Sequence, residues 1–186
     1  MGESNIGILL NRLLPLKFKG KVLDYVHYSD VDWYISNSRE KYYNEFLDFD
    51  FSKDVSEKDW KSRVNYLINR WKLVPNKETE IRLLLKDDVS QEIYGGCTIF
   101  DNRSKDGSVI IAYFIVPKHQ NKGIGYELIN KVLEILKSLN INKVKITIQE
   151  TNEASINLAI KTGFKEDKRI RGKKVNNIVM YKLLSN

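Results

Sequence analysis

The stretch that decides the fold is Tyr113-Phe-Ile-Val-Pro117-Lys-His-Gln120-Asn-Lys-Gly123-Ile-Gly125-Tyr-Glu-Leu128. An apolar strand runs out at Val116 and Pro117, a polar turn follows, and two glycines stand where an amphipathic helix begins. The first turn of a helix leaves its leading N–H groups without internal acceptors, and its dipole favours negative charge there. With no side chains at Gly123 and Gly125 a diphosphate can approach this backbone closely, and Lys122 can add charge at the rim. A bare Gly-x-Gly also serves plain turns and helix packing. Two other phosphate signatures are excluded, because the dinucleotide fingerprint needs a glycine where Leu128 stands and the Walker pattern needs Gly-Lys-Ser/Thr. What remains is Gln120-x-x-Gly123-x-Gly125.

Outward from this point the periodicities give the rest of the chain. Leu128, Val132, Ile135, Leu136 and Leu139 mark one helix face, residues 143–149 alternate as a strand, and a second helix runs from Asn152 to Gly163. Residues 164–170 and 175–184 read as a closing strand pair. On the other side, residues 79–86, 92–101 and 108–116 read as an antiparallel meander, and residues 21–27 as a first strand. Ser29 or Asp30 caps a helix, and Ser56 with Asp59 resembles a capping box opening a helix over Trp60, Val64, Leu67, Ile68 and Trp71 that Pro75 ends. The order predicts an α/β (α+β) mixed sheet of six to seven strands, mostly antiparallel, with helices on both faces.

Gln120, Gly123 and Gly125 resemble the coenzyme A diphosphate loop of the GNAT superfamily. The block Asn152-Glu-Ala-Ser155-Ile-Asn-Leu-Ala159-Ile-Lys-Thr-Gly163-Phe164 is similar to that family's later motif of Asn, short helix and Gly-Phe. Tyr113 and Ser155 look most like the Rim-type branch, which acetylates protein N-termini and small amines. The resemblance implies acetyl-CoA as co-substrate, held where two strands splay apart. Phe114, Ile115 and Val116 would offer backbone groups to pantetheine. Gln120, Asn121, Lys122, Gly123, Ile124, Gly125 and Tyr126 would hold the diphosphate, with Asn152 and Ser155 as further contacts. The matched blocks cover about residues 108–164; the first twenty residues lie outside the likeness.

The family pattern is incomplete here. Many relatives carry a carboxylate in the strand occupied by Val109, Ile110 and Ile111, and a tyrosine as general acid where Ala159 stands. Ser155 is therefore the candidate catalytic residue, protonating or hydrogen-bonding the departing thiolate, with helix capping as its ordinary alternative. A thiol with a pKa of about 8.5 is a tolerable leaving group even unprotonated. A non-catalytic acyl-CoA-binding or protein-interaction module is the competing reading. Gly95 and Gly96 mark a bulge, Cys97 is a buried thiol, His119 is a solvent-exposed loop residue, and Trp33, Tyr42, Tyr43 and Phe46 either line an acceptor pocket or pack as core.

Composition bounds these readings. The chain has 186 residues, 42% hydrophobic and 30% charged, with only 3 Pro and 10 Gly, so one folded domain over residues 1–186 is expected, residues 1–20 forming a leader packed on or preceding it. One cysteine and two histidines exclude a disulfide and argue against a structural metal. The apolar run over residues 6–18 is interrupted by Asn11, Arg12 and Pro15, which argues against a signal peptide or membrane span and for a cytoplasmic protein, monomeric or homodimeric. The net charge of +7 is unevenly spread: residues 30–59 hold nine acidic against four basic side chains, while residues 161–186 are basic. That division argues against a nucleic-acid partner and points to a cationic small amine or basic peptide as acceptor.

Overall fold

β1 (Leu16–Phe18) and β2 (Lys21–Tyr25) form a hairpin across Lys19 and Gly20, whose φ angles of +48° and +70° suit a two-residue turn matched to strand twist. β3 (Glu80–Asp87), β4 (Ile93–Phe100) and β5 (Val109–Ile115) continue the antiparallel meander. Helix α3 (Ile124–Ser138) then crosses to β6 (Lys143–Gln149), which runs parallel to β5. Helix α4 (Glu153–Lys161), β7 (Lys165–Ile170) and β8 (Asn177–Leu183) complete an eight-stranded sheet of order β1-β2-β3-β4-β5-β6-β8-β7. The computed structural model describes residues 6–38, 40, 56, 58, 59, 61, 62, 65, 66, 68, 80–101, 107–172 and 175–184.

The seven expected strands are all present, and β1 is an eighth drawn from the segment read as a leader. That segment belongs to the core. Ile6 and Leu10 of helix α1 (Ile6–Leu10) are wholly buried in the cluster that includes Leu23, Leu83, Leu85, Ile99, Ile111, Leu128, Val132 and Leu136. Each such side chain contributes about 1.5–3 kcal/mol relative to exposure. The opposite sheet face carries a second cluster, in which Val31, Tyr34 and Ile35 of helix α2 (Val31–Ser38) pack with Ile68, Leu84 and Ile93. Helices thus cover both faces, as the periodicity requires. In the chain after α2, Asp59 N–H donates to Ser56 Oγ at 3.1 Å, supporting the capping reading; Trp60, Val64, Leu67, Trp71, Tyr42, Tyr43 and Phe46 lie outside the described residues.

A bulge lies next to Gly95-Gly96 rather than at them, both glycines being paired in register with Leu85 and Leu84. The β3–β4 register shifts between Leu85 and Lys86, leaving Tyr94 as the extra residue. A Cβ on Gly95 would lie 2.4 Å from the Phe114 carbonyl, and one on Gly96 would lie 2.7 Å from the Phe114 ring. Small residues here let the Phe114 ring lie over β4, where it stacks on Trp33 with centroids 6.4 Å apart.

Candidate functional site

β5 and β6 each hold seven residues, yet they pair only at Val109↔Val144 and Ile110↔Lys145. Beyond these positions β5 stays laddered to β4 as far as Ile115 and β6 to β8 as far as Gln149, so the strands diverge into a wedge between two intact ladders. Helices α3 and α4 both begin where these strands end, which turns two helix N-termini toward the mouth of the wedge.

The loop entering α3 is built to expose backbone donors. Asn121 and Gly123 both take positive φ, +58° and +79°, and Gly123 is the N-cap with no side-chain cap bond. The first helical bond runs from Glu127 N–H to Gly123 C=O, so the N–H groups of Ile124, Gly125 and Tyr126 have no acceptor within the helix. A Cβ on Gly123 would meet nothing within 4 Å, leaving that side of the backbone open. Gly125 has a different role from the one expected of it: a Cβ there would stand 2.8 Å from Leu158 Cδ2 and 3.5 Å from Ile115 Cγ1. It permits close packing of α3 against α4 and β5, which leaves its N–H as the group it presents at the helix start. Gln120 braces the loop, its Nε2 donating to the Ile115 carbonyl at 3.0 Å. Asn121, Lys122, Gly123 and Tyr126 are exposed, while the Ile124 side chain is buried in the core.

Strand register revises which β5 groups face the wedge. Val116 N–H donates to Tyr94 C=O at 3.0 Å, and its own carbonyl accepts His119 N–H at 2.8 Å. In an antiparallel ladder the bonded pairs alternate, so Phe114 also turns its backbone groups toward β4. Those directed at the wedge belong to Tyr113 and Ile115, the Ile115 carbonyl being engaged by Gln120. Apolarity alone could not show this, because parity depends on the β4 register.

Asn152 is the cap of α4, its Oδ1 accepting Ser155 N–H at 3.1 Å. Ser155 is therefore the capped residue and not the cap, which removes the ordinary explanation for its hydroxyl. Tyr113 Oη donates to the Ser155 carbonyl at 3.4 Å, tying β5 to α4 across the wedge, and burial pushes the Tyr113 phenol up. Tyr113 thus stands as a hydrogen-bond donor beside Ser155, a placement visible only once strand and helix are juxtaposed. Ala159 is 1% exposed within the core.

On the α2 side of the sheet a cavity of about 570 Å³ is lined by Ser29, Asp30, Trp33, Lys86, Glu92 and Val116, among others. Its charges come in pairs. Both Asp30 carboxylate oxygens lie 2.7 Å from Lys86 Nζ in a buried pair, and Glu92 meets Lys118 and His119. The Lys118 ammonium, with His119 adding to it, holds the Glu92 carboxyl below the usual range. His119 is less open than expected of a loop residue, with its side chain 12% exposed and its ring 4.6 Å from that of Tyr94. Of the acidic stretch, Asp30 and Asp32 are ion-paired, Asp32 with Lys61 at 2.6 Å; Glu45, Asp48, Asp50, Asp54 and Glu57 lie outside the described residues. Burial drives the Cys97 thiol up to about 12, which makes it no nucleophile.

A wedge between parallel strands, with a donor-lined helix start at its mouth, is a cleft suited to an elongated ligand that carries an anionic group. The match over residues 34–164 to the acetyltransferase (GNAT) family model shows that the chain belongs to that family. No curated protein matches it in sequence. Solved structures share the fold at low identity. The spermidine N-acetyltransferase of Vibrio cholerae, solved with CoA and spermine, superposes with a TM-score of 0.74 at 19% identity, over 90% of this chain and 97% of its own. The ribosomal-protein-S5-alanine acetyltransferase of Vibrio fischeri gives 0.75 at 16%, over 92% and 97%. YncA of Salmonella typhimurium, solved with its cofactor acetyl-CoA, gives 0.66 at 18%, over 90% and 95%. Among the described residues no helix is long and apolar enough to cross a membrane.

Proposed function

We propose that the protein transfers an acetyl group from acetyl-CoA to a primary amine by direct attack in a ternary complex, in the cytoplasm. The observation that carries this reading is the conjunction of the left-handed Gly123 cap, the unpaired N–H groups that follow it and the splayed β5–β6 pair beside them. Diphosphate at the helix start and pantetheine along Tyr113 and Ile115 would bring the thioester into the wedge. The Ser155 hydroxyl, without a partner among the described residues, is the group placed to hydrogen-bond the departing thiolate, and Tyr113 holds the Ser155 backbone in place.

The acceptor we propose is a small cationic amine or a protein N-terminus, entering by the cavity between α2 and the end of β5. Lys118 holds the Glu92 carboxyl below its usual range, which makes it a poor base, and its pairing with Lys118 leaves it a hydrogen-bond acceptor for an incoming amine rather than an uncompensated charge. Solved relatives of the same fold include a spermidine and a ribosomal-protein N-acetyltransferase, which supports both acceptor classes. Incubating the protein with acetyl-CoA and a panel of peptides, polyamines and aminoglycosides, while following thiol release, tests the reading. Release that depends on one class of amine is expected. Binding of acetyl-CoA with no amine-dependent release from any class would favour a non-catalytic module, the reading motivated by Ala159 and by the absence of a carboxylate on β5.

A further inference from the structure

Glu127 is oddly placed for a phosphate-binding helix. It sits in the first turn of α3, so its negative charge opposes any anion at the N–H cradle, and its Oε2 is buried with the Lys21 ammonium as its partner. The groups that compensate it come from the β1–β2 hairpin, which lies outside both the sequence motifs and the family match. Lys21 Nζ lies 3.0 Å from Oε2 and Lys19 Nζ 3.3 Å from Oε1. Lys21 is the more important, since its side chain is 16% exposed against 71% for Lys19. Together, Lys21 first, they lower the Glu127 carboxyl below its usual range, so the carboxylate is ionised whenever the site works.

The hairpin is held so that it can do this. Asp88 N–H donates to the Gly20 carbonyl at 3.0 Å, Lys17 pairs with Asp88 at 2.7 Å, and Lys131 of α3 lies over the Phe18 ring at 5.3 Å. The turn is thereby docked against the start of α3, with both ammonium groups on one carboxylate.

On the reading of the cradle as the coenzyme's diphosphate site, we propose that Lys19 and Lys21 are positioning residues for that site, neutralising Glu127 so that the helix start keeps its affinity for a dianion. They need not touch the phosphates. A unit charge left bare one helical turn from a diphosphate, at the effective dielectric of a protein surface and with salt screening, is worth roughly tenfold in affinity.

Calorimetric titration of the full chain with CoA, over a cycle of variants, tests this. Lys19→Gln with Lys21→Gln should weaken CoA binding about tenfold, and the loss should shrink as salt is raised. Glu127→Gln alone should tighten CoA binding severalfold, because it removes a negative charge while both ammonium groups stay. The three substitutions together should recover most of the loss seen in the lysine pair and bind within about threefold of wild type, because the carboxylate that the lysines offset is gone. A triple variant as weak as the lysine pair would overturn the inference, since the lysines would then act on the phosphates directly or through the hairpin's docking. Unchanged affinity in the lysine pair would overturn it as well. Should the pair variant fail to fold, Lys19→Gln alone gives the same cycle at a largely exposed side chain, with about a two- to threefold loss expected and restored by Glu127→Gln. Absence of CoA binding by the wild-type protein would overturn the cradle reading, and this inference with it.

Discussion

Gly123→Ala isolates the cradle from the rest of the fold. The φ of +79° costs an L-residue about 1–2 kcal/mol, whereas the added Cβ meets no protein atom within 4 Å. The free protein should therefore lose about 1 kcal/mol, which lowers Tm by about 2–4 °C for a chain of this size. Gly107 supplies the control, with a φ of +72° and equally open surroundings, but away from the wedge. Gly107→Ala should reproduce the loss in Tm. Only Gly123→Ala should also weaken CoA, because its methyl occupies the approach to the N–H groups. Losing one charge-assisted hydrogen bond costs about 1.5–3 kcal/mol, or roughly 10- to 100-fold in Kd. Thermal unfolding of the free variants and calorimetry with CoA give the two readouts. Equal CoA affinity in wild type and a folded Gly123→Ala would refute the assignment, as would an equal loss in Gly107→Ala.

The other expectations are narrower. Ser155→Ala should lower kcat with little change in stability or acetyl-CoA affinity, whereas Asn152→Ala should cost about 1 kcal/mol in denaturant unfolding as the true cap. Lys86→Met should destabilise by about 3–5 kcal/mol by stranding buried Asp30, and adding Asp30→Asn should restore part of that loss in the same assay. The Asp87 carboxyl is held below its usual range by Ser90 N–H, Tyr94 Oη and Val89 N–H, so its stabilisation is present above about pH 4 and lost as pH falls through the lowered value. Acid unfolding of Asp87→Asn should accordingly begin from a less stable protein but show a shallower pH dependence below pH 4. Cys97 should react with a thiol reagent only at the rate of unfolding.

How much of this was legible in the sequence differs by element. Strands β3 to β6 and β8 and helices α3 and α4 were readable because their apolar residues recur in period, and Gly163, with φ of +88°, ends α4 on bonds from Gly163 to Ile160 and Phe164 to Ala159; β7, exposed throughout, was readable only from its place between Gly163 and the turn before β8. β1 was not, because a three-residue edge strand has no measurable period and its partner is defined only by the Lys19-Gly20 turn. At the site, the Gly123 loop and the Asn152 block were visible as local patterns. Functions that depend on tertiary register were hidden: the packing role of Gly125, the parity that turns Tyr113 and Ile115 toward the wedge, and the bond from Tyr113 to Ser155. The acidic stretch was visible as composition, but composition could not show that Lys86 and Lys61 compensate Asp30 and Asp32.

The central claim is that the N–H groups opening α3 and the wedge beside them receive acetyl-CoA. Titrating ¹⁵N-labelled protein with acetyl-CoA and following its amide resonances tests this residue by residue. The largest shifts are predicted at Gly123, Ile124, Gly125 and Tyr126, with a second group at Tyr113 and Ile115. Shifts centred instead on the cavity of Asp30, Trp33 and Lys86, or none at saturating acetyl-CoA, would contradict it.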